Sequence, residues 1–209
     1  MKHTFVRNVA RGYTIVELMM SLSVLAIGVS GVIAMQKVTV ATNRNAKELA
    51  IATRVAEAWA DQLTADATTW ELDSNGNSTR GQTIWLVSAD PTQTIDWFVP
   101  NYSATRGFGA AFDAFGNPIN PTTTPALGYF CAHIRFAFLH SETAPTGGNG
   151  VIRAQVRVFW PREDVTTTLP AAVINNLCSV DRPTFDSNVG AFHVVYLSTA
   201  VRETAQGLL

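Results

Sequence analysis

The sequence predicts an α+β chain: a long N-terminal helix whose C-terminal half packs on an antiparallel sheet. Three observations predict it. From Leu18 to Gln36 there is no charged residue. Ala46, Leu49, Ala52, Ala56, Trp59 and Leu63 then recur at steps of three and four, the spacing of one helix face. Two later segments, 129–139 and 151–160, alternate apolar and polar side chains as half-buried strands do.

The helix comes first in the chain and is the most strongly marked element. No proline occurs before Pro91. If the apolar run and the amphipathic stretch join, one helix covers about residues 14–66, roughly 80 Å at 1.5 Å per residue. Gly28 and Gly31 are its weak points, because glycine costs about 1 kcal/mol in a helix. The apolar run is long enough to span a bilayer. Arg44, Lys47, Glu48, Arg54, Glu57 and Asp61 fill much of the polar side of the second half.

Beyond the helix the period changes. Residues 68–81 are rich in Asn, Ser and Gly and read as loop. Residues 82–87 read as a short strand. Residues 100–127 carry four prolines and three glycines and read as a long irregular loop, with Phe108, Phe112 and Phe115 pinning it to the core. Gly147, Gly148, Asn149 and Gly150 suit a turn between the two clear strands. A third strand is expected near 191–199, after another loop at 161–188. On the clear strands Arg135, Arg153 and Arg157 fall on the polar face, which reads as solvated or as a contact for an acidic neighbour.

Composition limits the classes of function. Of 209 residues, 47% are hydrophobic and 15% charged, with a net charge of −1. Lys2, Arg7 and Arg11 all precede Tyr13; without them 12 basic residues face 16 acidic ones, a balance of −4. A mildly acidic body does not fit a nucleic-acid binder, which needs a basic footprint. Cys131 and Cys178 form no CxxC and no zinc spacing, and in an exported domain one such pair reads as one disulfide.

Residues 1–12 are short, basic and free of acids, and the apolar run follows almost at once. Glu17 is the exception within it. A carboxylate in a membrane helix costs on the order of 2–3 kcal/mol, less near an end. It asks for a partner, best supplied by a positive group near the start of a neighbouring copy. By composition alone the segment suits a plain signal anchor, a signal peptide cut near Ala34, or a leader peptide.

The residues Gly12-Tyr13-Thr14-Ile15-Val16-Glu17 resemble the signature of type IV prepilins. Gly, Thr and Glu match the usual pattern; Tyr13 stands where Phe is commoner, and Ile15 and Val16 replace Leu-Ile. The resemblance implies a type IV pilin fold. It also implies a leader at 1–12, a membrane and filament-core half helix at 13–36, an amphipathic half at 37–66 and a globular domain at 67–209. A prepilin peptidase would cut between Gly12 and Tyr13 and methylate the Tyr13 amine. Glu17 would pair with the N-terminal amine of an adjacent subunit. Residues 23–36 and Val156-Arg-Val-Phe-Trp160, followed by Pro-Arg-Glu-Asp, resemble PilV-type minor pilins.

The expected role is a minor pilin in initiation or tip assembly of a type IV pilus, with adhesion, twitching motility or DNA uptake downstream. Its expected partners are other minor pilins, the major pilin, the assembly platform of the inner membrane and a tip adhesin. The expected location is a single pass in the inner membrane, then the extracellular pilus near its tip. The alternatives are a major pilin, a type II secretion pseudopilin, and a membrane-anchored periplasmic binding protein or enzyme. Many major pilins carry a proline near the position of Ala34, and none stands there. The chain contains no HExxH, GxSxG or P-loop, so no catalytic residue is expected. Cys131, His133, His140, Cys178 and His193 match no common zinc spacing. Asp73, Asn75 and Asn77 mimic the start of a calcium loop, but Ser78 replaces its glycine and Ile84 its bidentate Glu. Neither a metal nor another cofactor is expected.

Overall fold

The computed structural model describes residues 12–72, 78–90, 94–140, 150–162, 173 and 176–203. The calcium-like residues Asp73, Asn75 and Asn77 and most of the turn at 147–150 lie outside them. The chain divides into two compact units, residues 1–47 and 48–209. A single helix, α1 (Ile15–Asp66), runs through the division without a break at Gly28 or Gly31. It ends in one turn of 3-10 helix at Ala67–Thr69.

In the first unit every described side chain is exposed. Thr14 starts the helix by accepting the Glu17 N–H on its hydroxyl, at 3.3 Å. The hydroxyls of Ser21, Ser23, Thr39 and Thr42 each donate to the carbonyl four residues back, and that of Ser30 to the one three back. A helix so arranged shows apolar surface despite five hydroxyl residues, because each polar hydrogen is spent within it.

In the second unit, α1 lies on one face of a six-stranded antiparallel sheet. The strands are β3 (Ile95–Phe98), β4 (Ala111–Phe112), β5 (Pro118–Ile119), β6 (Phe130–His140), β7 (Val151–Pro161) and β8 (Phe192–Arg202). The order is β5-β4-β6-β7-β8, with β3 also pairing β6. A separate two-stranded ribbon joins β1 (Glu71–Leu72) to β2 (Ser78–Thr79). The alternation within β6 and β7 does what the sequence predicts. Ala132, Ile134, Phe136, Ala154, Val156 and Val158 face α1 and are fully buried with Ala52, Val55, Ala56, Trp59 and Leu63. Trp59 anchors this layer, 5.1 Å from the Trp85 ring and 4.9 Å from Phe108. The buried stripe begins at Ala52; Ala46 and Leu49, read into it from the spacing, are exposed.

Two carboxylates read as polar-face or boundary residues hold α1 to the rest of the unit. Glu48 accepts from the Tyr129 hydroxyl at 2.9 Å and the Trp160 indole N–H at 3.0 Å. Asp66, fully buried, accepts from the backbone N–H of Ile84 at 2.8 Å, Trp85 at 2.9 Å and Leu86 at 3.1 Å. This overturns the strand expected at 82–87. Amides that a ladder would need converge on one carboxylate, and the segment folds into bends and a 3-10 turn at Leu86–Ser88.

The loop at 100–127 is largely irregular but supplies β4 and β5 at the end of β6. Phe108 and Phe112 are buried in the core as expected, whereas Phe115 is 72% exposed. Its neighbour Gly116 takes a positive φ of 83°, and a Cβ there would come within 2.9 Å of Ile51. That close approach to α1 requires glycine.

Candidate processing and assembly site

Gly12 and Tyr13 precede the first turn of α1, and both are exposed. An accessible peptide outside the helix is what a peptidase needs, and glycine leaves its approach unobstructed. Glu17 stands in the first turn, exposed, and its backbone N–H is taken by Thr14. No other Asp, Glu, Lys or Arg occurs between Tyr13 and Gln36. Tyr13, Glu17 and the Gly12–Tyr13 bond therefore lie within two turns at the start of one exposed apolar helix. By length and composition that helix is able to cross a membrane.

The sequence family described as the prokaryotic N-terminal methylation motif matches residues 7–33. The chain carries this motif. The match covers Gly12, Tyr13 and Glu17, and it supports a type IV pilin-like chain, either pilin or pseudopilin. With the motif come processing by a prepilin peptidase, membrane anchoring and use by a pilus-type assembly machinery. The long helix on an antiparallel sheet is consistent with the type IV pilin fold. No curated protein and no solved structure matches the chain.

The methylation motif does not extend to the second unit, where Cys131, Cys178, His133 and Arg157 come together on the sheet face turned away from α1, while His193 stands against Trp160 on the α1 side and His140 is exposed at the end of β6. Cys131 and Cys178 form a disulfide with Cα atoms 4.9 Å apart. It ties β6 to the segment that leads into a short helix, α2 (Arg182–Ser187). Asp181 caps α2 by accepting the Thr184 N–H at 3.1 Å. Phe185 and Phe192, with rings stacked 5.3 Å apart, cover Phe159. This half of the second face is therefore a core and not the solvated surface that alternation suggested.

Arg157 needs the same correction. It is only 2% exposed, so it offers no contact to a neighbour. Its guanidinium lies 4.0 Å from the Phe185 ring centre and 4.7 Å from that of Trp97. It reaches Asp186 at 3.5 Å and donates to His133 Nδ1 from Nε at 3.1 Å. A guanidinium has no lone pair to offer, so Nδ1 must be the acceptor. His133 Nε2 then carries the proton and donates to the Val180 carbonyl at 2.9 Å. With the cysteines bonded and both His133 nitrogens engaged, these three side chains do not make a metal site. Sequence reasoning missed Glu48, Asp66 and the burial of His133, since each depends on a partner at least 18 residues away.

Burial, with the Arg157 charge second, lowers the His133 pKa from 6.5 to about 4. Between those values the unfolded chain binds a proton that the folded one refuses. Stability is therefore lost as pH falls from 6.5 towards 4, and this group adds no slope above that range. The expected loss is about 3 kcal/mol. Denaturant titration of the full chain in detergent micelles at pH 7 and pH 4, followed by tryptophan fluorescence, measures it. His133→Gln should flatten the slope; an unchanged slope would assign it to other groups.

Proposed function

We propose that this chain is a minor pilin. In this reading a prepilin peptidase cuts it after Gly12 and methylates the Tyr13 amine. It then enters a type IV pilus through α1, in the complex that starts the filament or sits near its tip. The observation that carries the reading is the methylation motif at the start of an exposed apolar run, residues 13–36 of the chain, whose single carboxylate is Glu17. The charge offers a docking point for a neighbour's new N-terminus, and the rest of the helix packs by shape. The resemblance of residues 23–36 and 156–164 to PilV-type minor pilins supports the subgroup. The long, largely irregular segment at 100–127, with the stretch at 161–188 that reads as loop in the sequence, would crowd a repeating lattice, which favours a rare or terminal position. Other minor pilins, the major pilin, the inner-membrane assembly platform and a tip adhesin are the partners this role requires.

Deleting the chain tests the role. Surface pili should fall sharply while the major subunit is still made and stays in the membrane. The mature protein should begin at Tyr13, carry a methylated amine and be scarce in sheared filaments. A bulky residue at position 12 should leave the precursor uncut. A mature N-terminus near Met35 would remove the prepilin reading altogether. Dominance in the shaft would make the chain a major pilin, and lost secretion with normal piliation would make it a pseudopilin.

A further inference from the structure

The sheet face turned away from α1 has two halves. One is covered by α2 and its flanks, and the other is open. Register sets out the open half row by row: Arg135, Gln155 and Ser198; then Ala137, Arg153 and Ala200; then Val151 and Arg202. Three arginines thus step diagonally across β6, β7 and β8, one per strand, about 7–8 Å apart as diagonal neighbours are. No carboxylate occupies any of these positions. Arg135 is held by Gln155 at 2.9 Å and lies 5.2 Å from the Trp97 ring centre. Arg153 and Arg202 are exposed and form no ion pair with a described carboxylate. At the covered end Asp96 pairs with Arg182, and Asp186 with Arg157 and Arg182. Small side chains at 137, 198 and 200 leave the guanidinium groups standing clear, and Tyr196 is exposed beside them.

The opposite side of the same two-layer unit carries the complementary charge. On the outward face of α1, Glu57 and Asp61 stand one turn apart, exposed and without a described cation partner, with Arg54 at the edge. Like charges at that spacing repel by a few tenths of a kcal/mol, as do like charges across strands. Each surface relieves the other's repulsion.

We propose that the open sheet face of one copy docks on the outward face of α1 in a second copy, setting Arg153 and Arg202 against Glu57 and Asp61. Because the two surfaces lie on opposite sides of the unit, the contact is heterologous. A pair therefore does not close as a two-fold dimer and leaves one of each surface free. The inference rests on the filament reading only for its setting, and two adjacent copies suffice.

The test uses the full chain in detergent micelles, as two differently tagged populations. Co-purification should be strong at low salt and fall at about 0.5 M salt, where charges are screened within about 4 Å. Reversal in both populations, as R153E with R202E or as E57R with D61R, should lower it at least about tenfold. Mixing one reversed population with the other should restore it. The milder R153Q with R202Q should give a smaller loss. An intact Cys131–Cys178 disulfide in every variant reports that the unit folds. Co-purification indifferent to salt and to reversal would overturn the proposal and leave the apolar helices as the association surface. Loss without recovery in the mixture would also overturn it, in favour of an unlike acidic subunit. Neither result bears on the mature N-terminus, which tests the filament reading separately.

Discussion

Glu17→Leu is expected to leave the chain cleaved and inserted in the membrane yet nearly absent from filaments. The substitution removes the one carboxylate of the apolar run, so insertion gains on the order of 2–3 kcal/mol. Assembly loses more. In a filament the Tyr13 amine of a neighbour would be buried without its counter-charge, and breaking a buried pair costs about 3–5 kcal/mol. That corresponds to a loss of roughly 10²–10⁴-fold in the equilibrium for incorporation. The measurement is the ratio of this chain in sheared filaments to that in membranes, for wild type, Glu17→Leu and Glu17→Gln. Glutamine keeps the shape and a hydrogen bond but not the charge, and it should fall between the two. Incorporation of Glu17→Leu at the wild-type level would show that the charge is dispensable and that packing alone sets the register.

The second large effect concerns the globular unit. Asp66→Ala should destabilise it by about 3–5 kcal/mol, because three amides lose their shared acceptor inside the protein. The N–H groups of Trp85 and Leu86 are buried with Asp66, so water cannot replace the carboxylate without opening the end of α1. Arg106, 4.0 Å from the carboxylate, would lose a counter-charge as well. Asp66→Asn retains one acceptor oxygen and should cost roughly half as much. Denaturant unfolding of the full chain in micelles, read from tryptophan fluorescence, reports both values. A change below about 1 kcal/mol for alanine would mean that the bends at 82–88 hold without Asp66.

Elements built from local repeats were legible in the residues, and elements built on a distant partner were not. The helix was visible because Leu18–Gln36 lacks charge and Ala52, Ala56, Trp59 and Leu63 keep one spacing. Strands β6 and β7 were visible because alternation is a property of neighbours. The disulfide was readable because the chain has two cysteines. Residues 82–87 misled: Ile84, Trp85 and Leu86 suit a strand by propensity, and nothing near them announces that Asp66 claims their amides. Arg157 misled for a similar reason. Period two correctly placed it opposite the α1 face, but whether that face meets water depends on α2, which lies in a segment that reads as loop. At the candidate site the opposite holds. Gly12, Tyr13 and Glu17 sit within six residues, so their arrangement needs no fold to be seen.

The inward-turned hydroxyls of α1 have a consequence for how the helix meets its neighbours. Ser21, Ser23, Ser30, Thr39 and Thr42 spend their hydrogens on their own backbone. From Leu18 to Gln36 the surface is greasy and almost featureless in polarity, over about five turns. Such a rod gives an adjacent rod nothing to grip sideways except contour, so sliding or rotating by a fraction of a turn is cheap. On the proposed pairing, position 17 would work as a single peg on a smooth shaft: it would fix how far along two helices meet and leave the rest of their length free to give under load.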